Sequence, residues 1–403
     1  MELFSSLPLI LDGATGTSLQ KRGMPSGVCP EKWILENPEI LVALQRDYAA
    51  AGSDILTTAT FGANSAALER NGIAGQTAEY NKKLTALSAE ASGGKALLAG
   101  DISPTGLQMA PYGSTTLDEV VAVYAEQVRA LDEAGVDFFL IETSIALCEA
   151  RAAILAVKEN SKKPFAVSFS VGANGSSLYG SDIVSALVTA QALGASAFGI
   201  NCCGDLKLLT ELMKRLSPFA KIPLLVQPNA GLPEMIDGVA HYSLTPDELA
   251  DFARELPSFG VGIFGGCCGT APEHIAALKK ALGGAVVAEP AGTGKLLFAS
   301  EKNALAYSPE LENAEVVCSE DILEDAEDAA DEADFIRLSI PDEDALEAFL
   351  ENSAMLRLPL CVSSPSVEIL EKAVRAYSGT LLCDMPKTPL LEALHEKYGL
   401  ELI

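Results

Sequence analysis

Runs of seven to nine mostly apolar, β-prone residues alternate with longer stretches of helical periodicity from Leu9 onward. The runs are "LILDGAT" from Leu9, "DILTTATF" from Asp54, "ALLAGDIS" from Ala96, "DFFLIET" from Asp137, "FAVSFSV" from Phe165, "AFGINCC" from Ala197, "PLLVQPNAG" from Pro223 and "VGIFGGCCG" from Val261. Short apolar runs of this kind predict buried strands. Between them, stretches such as "PEILVALQRDYAAAG", "TLDEVVAVYAEQVRALDEAG" and "TPDELADFARELPSFG" start on acidic residues or proline and end near glycine, as helices do. Eight strand-then-helix units over about 280 residues predict an α/β protein with a (β/α)8 TIM barrel, whose active site lies where the strands end.

Those ends are polar, small or thiol-bearing: "DGATGT", "TTATFGAN", "GDISPTG", "IETS", "INCCG", "QPNAGLP" and "GGCCGT". Turn chemistry accounts for the glycines and asparagines. It does not account for the cysteines and carboxylates.

The rhythm breaks after Gly284 in "AEPAGTGKLLFASEKN", a connector rich in proline and glycine. Its "GTGK" lacks the glycine that a phosphate-binding loop requires five residues before Gly294, where Glu289 stands. Strand-helix units resume at "AEVVCSE", "DFIRLSIP", "LPLCVSSP" and "TLLCDMP". The predicted organisation is therefore a barrel over 1–284, a linker over 285–310 and a small α/β half-barrel-like domain over 311–403. The acidic stretch "SEDILEDAEDAADEAD" reads as a solvated helix face. The open edges of a half-barrel invite covering, through a homodimer of the C-terminal domain, by the chain's own barrel or by a partner protein.

Composition removes several functional classes. The 403 residues are 49% apolar but only 6% aromatic, which suits tightly packed helices on a sheet. A formal net charge of −27 opposes nucleic-acid and anionic-membrane binding, and no apolar run reaches the roughly 20 residues of a membrane span. The opening residues lack a basic segment before the first strand, so no signal peptide is read and a cytoplasmic location is expected. Nine cysteines fit free thiols or a metal site in a reducing compartment better than a disulfide framework.

Barrel geometry brings the ends of the sixth and eighth strands to one rim, so Cys202 or Cys203 can meet Cys267 and Cys268. Adjacent cysteines do not readily bond to each other, and three convergent thiolates suit Zn²⁺ with one coordination position open. The glycines of "GGCC" are read as letting backbone approach a ligand. A zinc so rich in thiolate favours a substrate thiol, which would be alkylated to a thioether.

"LDGATGT", "CPEKWILENPE", "DYAAAGSDILTTATFGAN", "IET", "GINC" and "GGCCGT" together resemble, in order and spacing, the homocysteine S-methyltransferase family over residues 1–284. The resemblance implies Cys202, Cys267 and Cys268 as zinc ligands and catalytic residues, with Cys203 an extra thiol packed behind them. It also implies Asp12, Glu142 and Asn201 as homocysteine-binding residues, the carboxylates taking the ammonium while amides of "NAGLP" and "DISPTG" take the carboxylate. "TTATF" stands where many members read "TNTF", and Ser103 where a glycine commonly precedes the proline.

The implied activity is zinc-dependent methylation of homocysteine to methionine. No D-x-H-x-x-G loop offers an axial histidine to cobalamin, so cobalamin is expected only on a separate partner. The candidate donors are a methylcorrinoid protein in trans, which is also the partner expected if a second protein covers the half-barrel's edges, a folate-linked donor, or a sulfonium or betaine compound. Two alternatives stand beside this reading: another thiol or selenol acceptor, and a non-catalytic accessory with a closed, structural metal site.

Overall fold

The computed structural model describes residues 4, 6–236 and 239–403, excluding the side chains of 236 and 239. Part of the opening segment read for a signal peptide, residues 1–3 and 5, lies outside the described residues. Each of the eight apolar runs forms a strand: Leu9–Ile10 (β1), Ile55–Thr57 (β2), Leu97–Ile102 (β3), Phe138–Ser144 (β4), Phe165–Phe169 (β5), Ala197–Asn201 (β6), Leu224–Gln227 (β7) and, after a small hairpin of Glu234–Ile236 (β8) and Val239–His241 (β9), Val261–Phe264 (β10). They form one parallel sheet in the order β1-β10-β7-β6-β5-β4-β3-β2. Its ends meet at Asp54, whose N–H donates to Ile10 O at 2.7 Å while its carboxylate accepts from Ile10 N–H at 2.9 Å.

The barrel is filled rather than hollow. Leu11, Ile55, Phe138, Leu140, Leu225 and Ile263 form a separate core cluster inside the ring, with Phe4 packed edge-on to Phe138 at 5.5 Å. Only the end where the strands finish is left for chemistry. No helix among the described residues is long and apolar enough to cross a membrane.

The C-terminal region forms a second parallel sheet in sequential order: Asn313–Val317 (β13), Phe335–Ser339 (β14), Leu360–Ser363 (β15), Leu382–Cys383 (β16) and Glu401–Leu402 (β17). The fifth strand is two residues long, too short for its periodicity to be read. A hairpin of Leu297–Ala299 (β11) and Ala304–Ala306 (β12), within the stretch read as linker, joins this sheet through Ala299 and Thr380, which exchange hydrogen bonds of 2.9 Å. Phe298 from the hairpin packs on Phe335 and Leu382, covering one face.

Helices on the other face merge with the core around the barrel. The seam is held by Arg151, on the barrel helix Leu147–Asn160, which is 1% exposed. Its guanidinium donates to Val374 O at 2.6 Å, Arg375 O and Tyr398 O at 3.1 Å, and Gly379 O at 3.2 Å. Burial lowers its pKa to about 10, which still leaves it charged at neutral pH. A buried cation served only by carbonyls is tolerated because four of its five N–H donors, at least one on every nitrogen, find an acceptor.

Candidate active site

Cys202 follows β6, and Cys267 and Cys268 follow β10, with β7 between them in the ring. The loop after β7 stitches both sides together. Cys202 N–H donates to Gln227 O at 3.1 Å, Cys267 N–H to Pro228 O at 2.8 Å, and Ala230 N–H to Cys268 O at 2.8 Å. The sulfurs lie 3.1 Å apart for Cys202 and Cys267 and 4.0 Å for Cys202 and Cys268, and all three fall within 4.8 Å of one another. A tetrahedral zinc with bonds of about 2.3 Å needs sulfurs about 3.8 Å apart, so the three thiols fit one ion with small adjustments. Cys268 is drawn down to about 3 by hydrogen bonds from Cys202 and then Cys267, while the Cys202 contact is the largest cause pushing Cys267 up.

Cys203 is buried in the hydrophobic core and stands apart from the trio. Gly266 lines the pocket beside the thiols, so the backbone there faces the space a ligand would take. Neither glycine has room for a side chain: a Cβ on Gly265 would stand 2.7 Å from Leu11 Cβ, and one on Gly266 2.3 Å from Thr270 Oγ1.

Two non-glycine residues among those described have left-handed backbones, Cys202 and Thr143, both at φ +58°. For a β-branched threonine this is a strained conformation that needs local support. Asn201 supplies it. Its Oδ1 accepts from Thr143 N–H at 3.0 Å and from Ser168 Oγ at 3.0 Å, and its Nδ2 donates to Thr143 Oγ1 at 2.7 Å. Asn201 is fully buried and does not line the pocket, so the structure places it as a brace beneath Glu142 and Cys202.

The pocket beside the thiols has a volume of about 360 Å³. Its walls carry Asp12, Glu31, Asp101 and Glu142, and no lysine, arginine or histidine. Asp12 accepts from Thr57 N–H at 3.0 Å and Thr57 Oγ1 at 2.8 Å, yet burial still pushes its carboxyl up to about 7. Glu142 is pushed up to about 8, by burial first and then by Asp12 and Cys268, with a hydrogen bond to Gln227 opposing. Asp101 is raised by burial, then by Glu142 and Asp12. These acids are poised for a cation that the walls do not provide.

The expected carboxylate-binding amides are in part already used. Asn229, Ala230 and Gly231 N–H donate to Cys203 O, Cys268 O and Asn229 O. Thr105 N–H donates at 2.7 Å to Glu149, at the start of the helix Leu147–Asn160 that follows β4, which fixes the "DISPTG" loop. His274 caps its own helix, accepting from Ala271 N–H at 3.2 Å, with its other ring nitrogen 3.0 Å from Leu244 O.

Sequence reasoning missed the side chains of Asp101, Glu31, Gln227 and Tyr242. Asp101 and Gln227 sat inside quoted strand ends, where a carboxylate and an amide after an apolar run were the available signal. Tyr242, beyond the small hairpin, stands near the thiols, and its hydroxyl is pushed up to about 12 by burial and then by the charge of Cys268. Nothing in its local sequence marked it.

Comparison with known proteins follows this geometry. A family model described as homocysteine S-methyltransferase matches residues 9–282. The chain is 32% identical over 295 residues to methionine synthase of Mycobacterium tuberculosis, covering 68% of this chain and 24% of that protein, and equally identical to the Mycobacterium leprae enzyme. It thus spans about a quarter of the length of these curated relatives. The metallated form of the homocysteine methyltransferase MmuM from Escherichia coli superimposes with a TM-score of 0.60 at 26% identity, over 68% of this chain and 96% of that one.

Proposed function

The chain belongs to the homocysteine S-methyltransferase family, and from that premise we propose that it transfers a methyl group to the homocysteine thiol, giving methionine. The observation that carries this reading is the convergence of three thiols on the wall of a pocket lined by carboxylates alone among charged groups. Cys202, Cys267 and Cys268 would hold zinc, which when bound would supply a Lewis acid that favours loss of the substrate thiol's proton to solvent. Asp12, oriented by Thr57, and Glu142, held over the Asn201-braced turn, face the substrate's ammonium. The substrate sulfur supplies the electron pair of the new C–S bond, and the leaving donor keeps the pair of the bond that breaks.

The donor in this proposal is a methylcorrinoid protein acting in trans. Val28, Phe61, Tyr112, Leu178, Leu232 and, on the β8 hairpin strand, Met235 are exposed apolar side chains, all in segments that run from the end of a barrel strand to its following barrel helix and so ring the mouth. Apolar groups gathered around a functional opening suit contact with another macromolecule. The second reading, a small sulfonium or betaine donor, is favoured by a lining whose charged groups are all acidic, which accommodates a cation.

The test supplies zinc-loaded protein with homocysteine and, separately, a methylcorrinoid protein, a methylated folate, a sulfonium and betaine, and measures methionine by mass spectrometry. Methionine is expected with the methylcorrinoid protein. Its absence with every donor, or methylation only of other thiols or selenols, contradicts the assignment.

A further inference from the structure

A second cavity lies at the rim of the barrel, walled by the segments that follow β3, β4 and β5. Its volume is about 60 Å³, and no residue lines both it and the thiol pocket. A single water needs about 10–15 Å³, so the space suits a small molecule. Leu107, Met109 and Ile145 make its wall apolar, and Tyr112 and Tyr179 stand together in it, their ring centroids 4.7 Å apart and the planes tilted by 48°. Tyr112 is 54% exposed, so the cavity opens to solvent beside it.

One charged side chain lines this cavity, Glu149, and it is only 6% exposed. Its Oε1 takes every hydrogen bond that the carboxylate receives among the described residues, from Thr105 N–H at 2.7 Å, Thr105 Oγ1 at 2.6 Å and the Tyr124 hydroxyl at 3.1 Å. Oε2 is left free. Lys302 is committed elsewhere: its Nζ donates to Gly180 O at 2.9 Å and Tyr179 O at 3.3 Å, fixing that loop. On the same wall the Cys148 thiol is pushed up to about 12 by burial, then by Glu301 and Glu149, and so stays neutral at pH 7. Two carboxylates thus set a negative field on an aromatic, apolar space with no basic lining residue.

We infer that this cavity binds a small alkylated ammonium ion, its methyl groups against the Tyr112 and Tyr179 rings and its charge facing Glu149. Tyrosine faces attract such cations through the ring quadrupole, and a carboxylate shielded from water supplies the counter-charge. A metal ion fits poorly, because it requires several oxygen ligands and the wall offers one carboxylate among mostly apolar groups. The inference stands apart from the homocysteine reading, since the cavity contains none of the residues on which that reading rests.

The test is an NMR titration of the whole chain carrying isotope-labelled tyrosine rings, with tetramethylammonium as the probe and tert-butanol as its uncharged counterpart. Tetramethylammonium is expected to shift the Tyr112 and Tyr179 signals, assigned from Tyr112→Leu and Tyr179→Leu, and to bind at least about 10-fold more tightly than tert-butanol. Tyr112→Leu, at the exposed rim, is expected to weaken tetramethylammonium by about 5-fold while leaving tert-butanol within about 2-fold. Glu149→Gln, which keeps an oxygen for Thr105 and Tyr124, is expected to remove the preference for charge. Absence of binding, or equal binding of the two probes by the parent, overturns the inference without reliance on any variant. So does a cation that shifts Tyr242, near the thiols, in place of Tyr112 and Tyr179, or a charge preference that is unchanged in either variant.

Discussion

The barrel and the C-terminal sheet repeat the same unit, a parallel strand followed by a helix, yet their strand ends differ in kind. At the barrel mouth, the ends carry Asp12, Asp101, Glu142 and three cysteines around one cavity, with two left-handed residues and three unpartnered acceptors, on Asp101, Gln227 and Asn229. In the C-terminal sheet, Asp384 pairs with Arg337, Cys318 donates to Ala345 O, and no unpartnered buried side-chain atom among the described residues lies at a strand end. Closure explains much of the contrast. A ring turns its strand ends toward a common axis, whereas five strands about 4.8 Å apart spread theirs over about 20 Å. The C-terminal unit is fixed to its neighbour by Arg151, and chemistry collects where the sheet closes.

Cys267→Ala breaks the comparison at its sharpest point. Zinc content is expected to fall from one per chain to below about 0.1, and methionine formation by about 1,000-fold or more, with the unfolding transition nearly unmoved. Metal analysis and the activity assay check this, and full zinc occupancy in the variant contradicts it. Cys203→Ala is expected to keep its metal.

Arg151→Ala should do the reverse. It leaves four buried carbonyls without their donor, at an expected loss of about 3–5 kcal/mol, while zinc content stays near one per chain. Urea unfolding measures the loss, and a change below about 1 kcal/mol means that the seam depends on other contacts. The same seam bears on the domain boundary. The barrel helix Ile183–Ala192 is buried along most of its length and contacts the β11–β12 hairpin, so a barrel cut near residue 284 is expected to aggregate.

The barrel was legible because its signal is local: each strand carries its own apolar run, and eight regular units leave few topologies. The thiol trio was legible because barrel closure brings the ends of β6 and β10 near each other across 65 residues. Arg151 was hidden, since an arginine in a helix gives no sign that its partners lie more than 220 residues away. Asp101 was hidden differently. Its segment was noticed, but that its Oδ1 is buried without a donor is a property of the assembled site.

Asn201→Ala tests the brace beneath the site. Removing its contacts to Thr143 and Ser168 is expected to lower activity by about 10- to 100-fold with little change in zinc content. A loss of zinc would place Asn201 in the metal site instead.

The smallest effect concerns pH. Asp12 and Glu142 have folded-state values raised to about 7 and 8 from 3.8 and 4.5. Their contribution to stability is complete below the unfolded values and is lost as pH rises through the folded ones. Metal-free protein is therefore expected to melt several degrees lower at pH 8.5 than at pH 5.5, with the difference reduced in Asp12→Asn. A melting temperature that rises over this interval contradicts the electrostatic description of the pocket.

The central claim, a three-cysteine zinc that leaves one position for the homocysteine thiol, is tested most directly by zinc X-ray absorption on the loaded protein with and without homocysteine. The account predicts three sulfur neighbours at about 2.3 Å alone and four after homocysteine is added. Four sulfurs before addition, or three before and after, would contradict it.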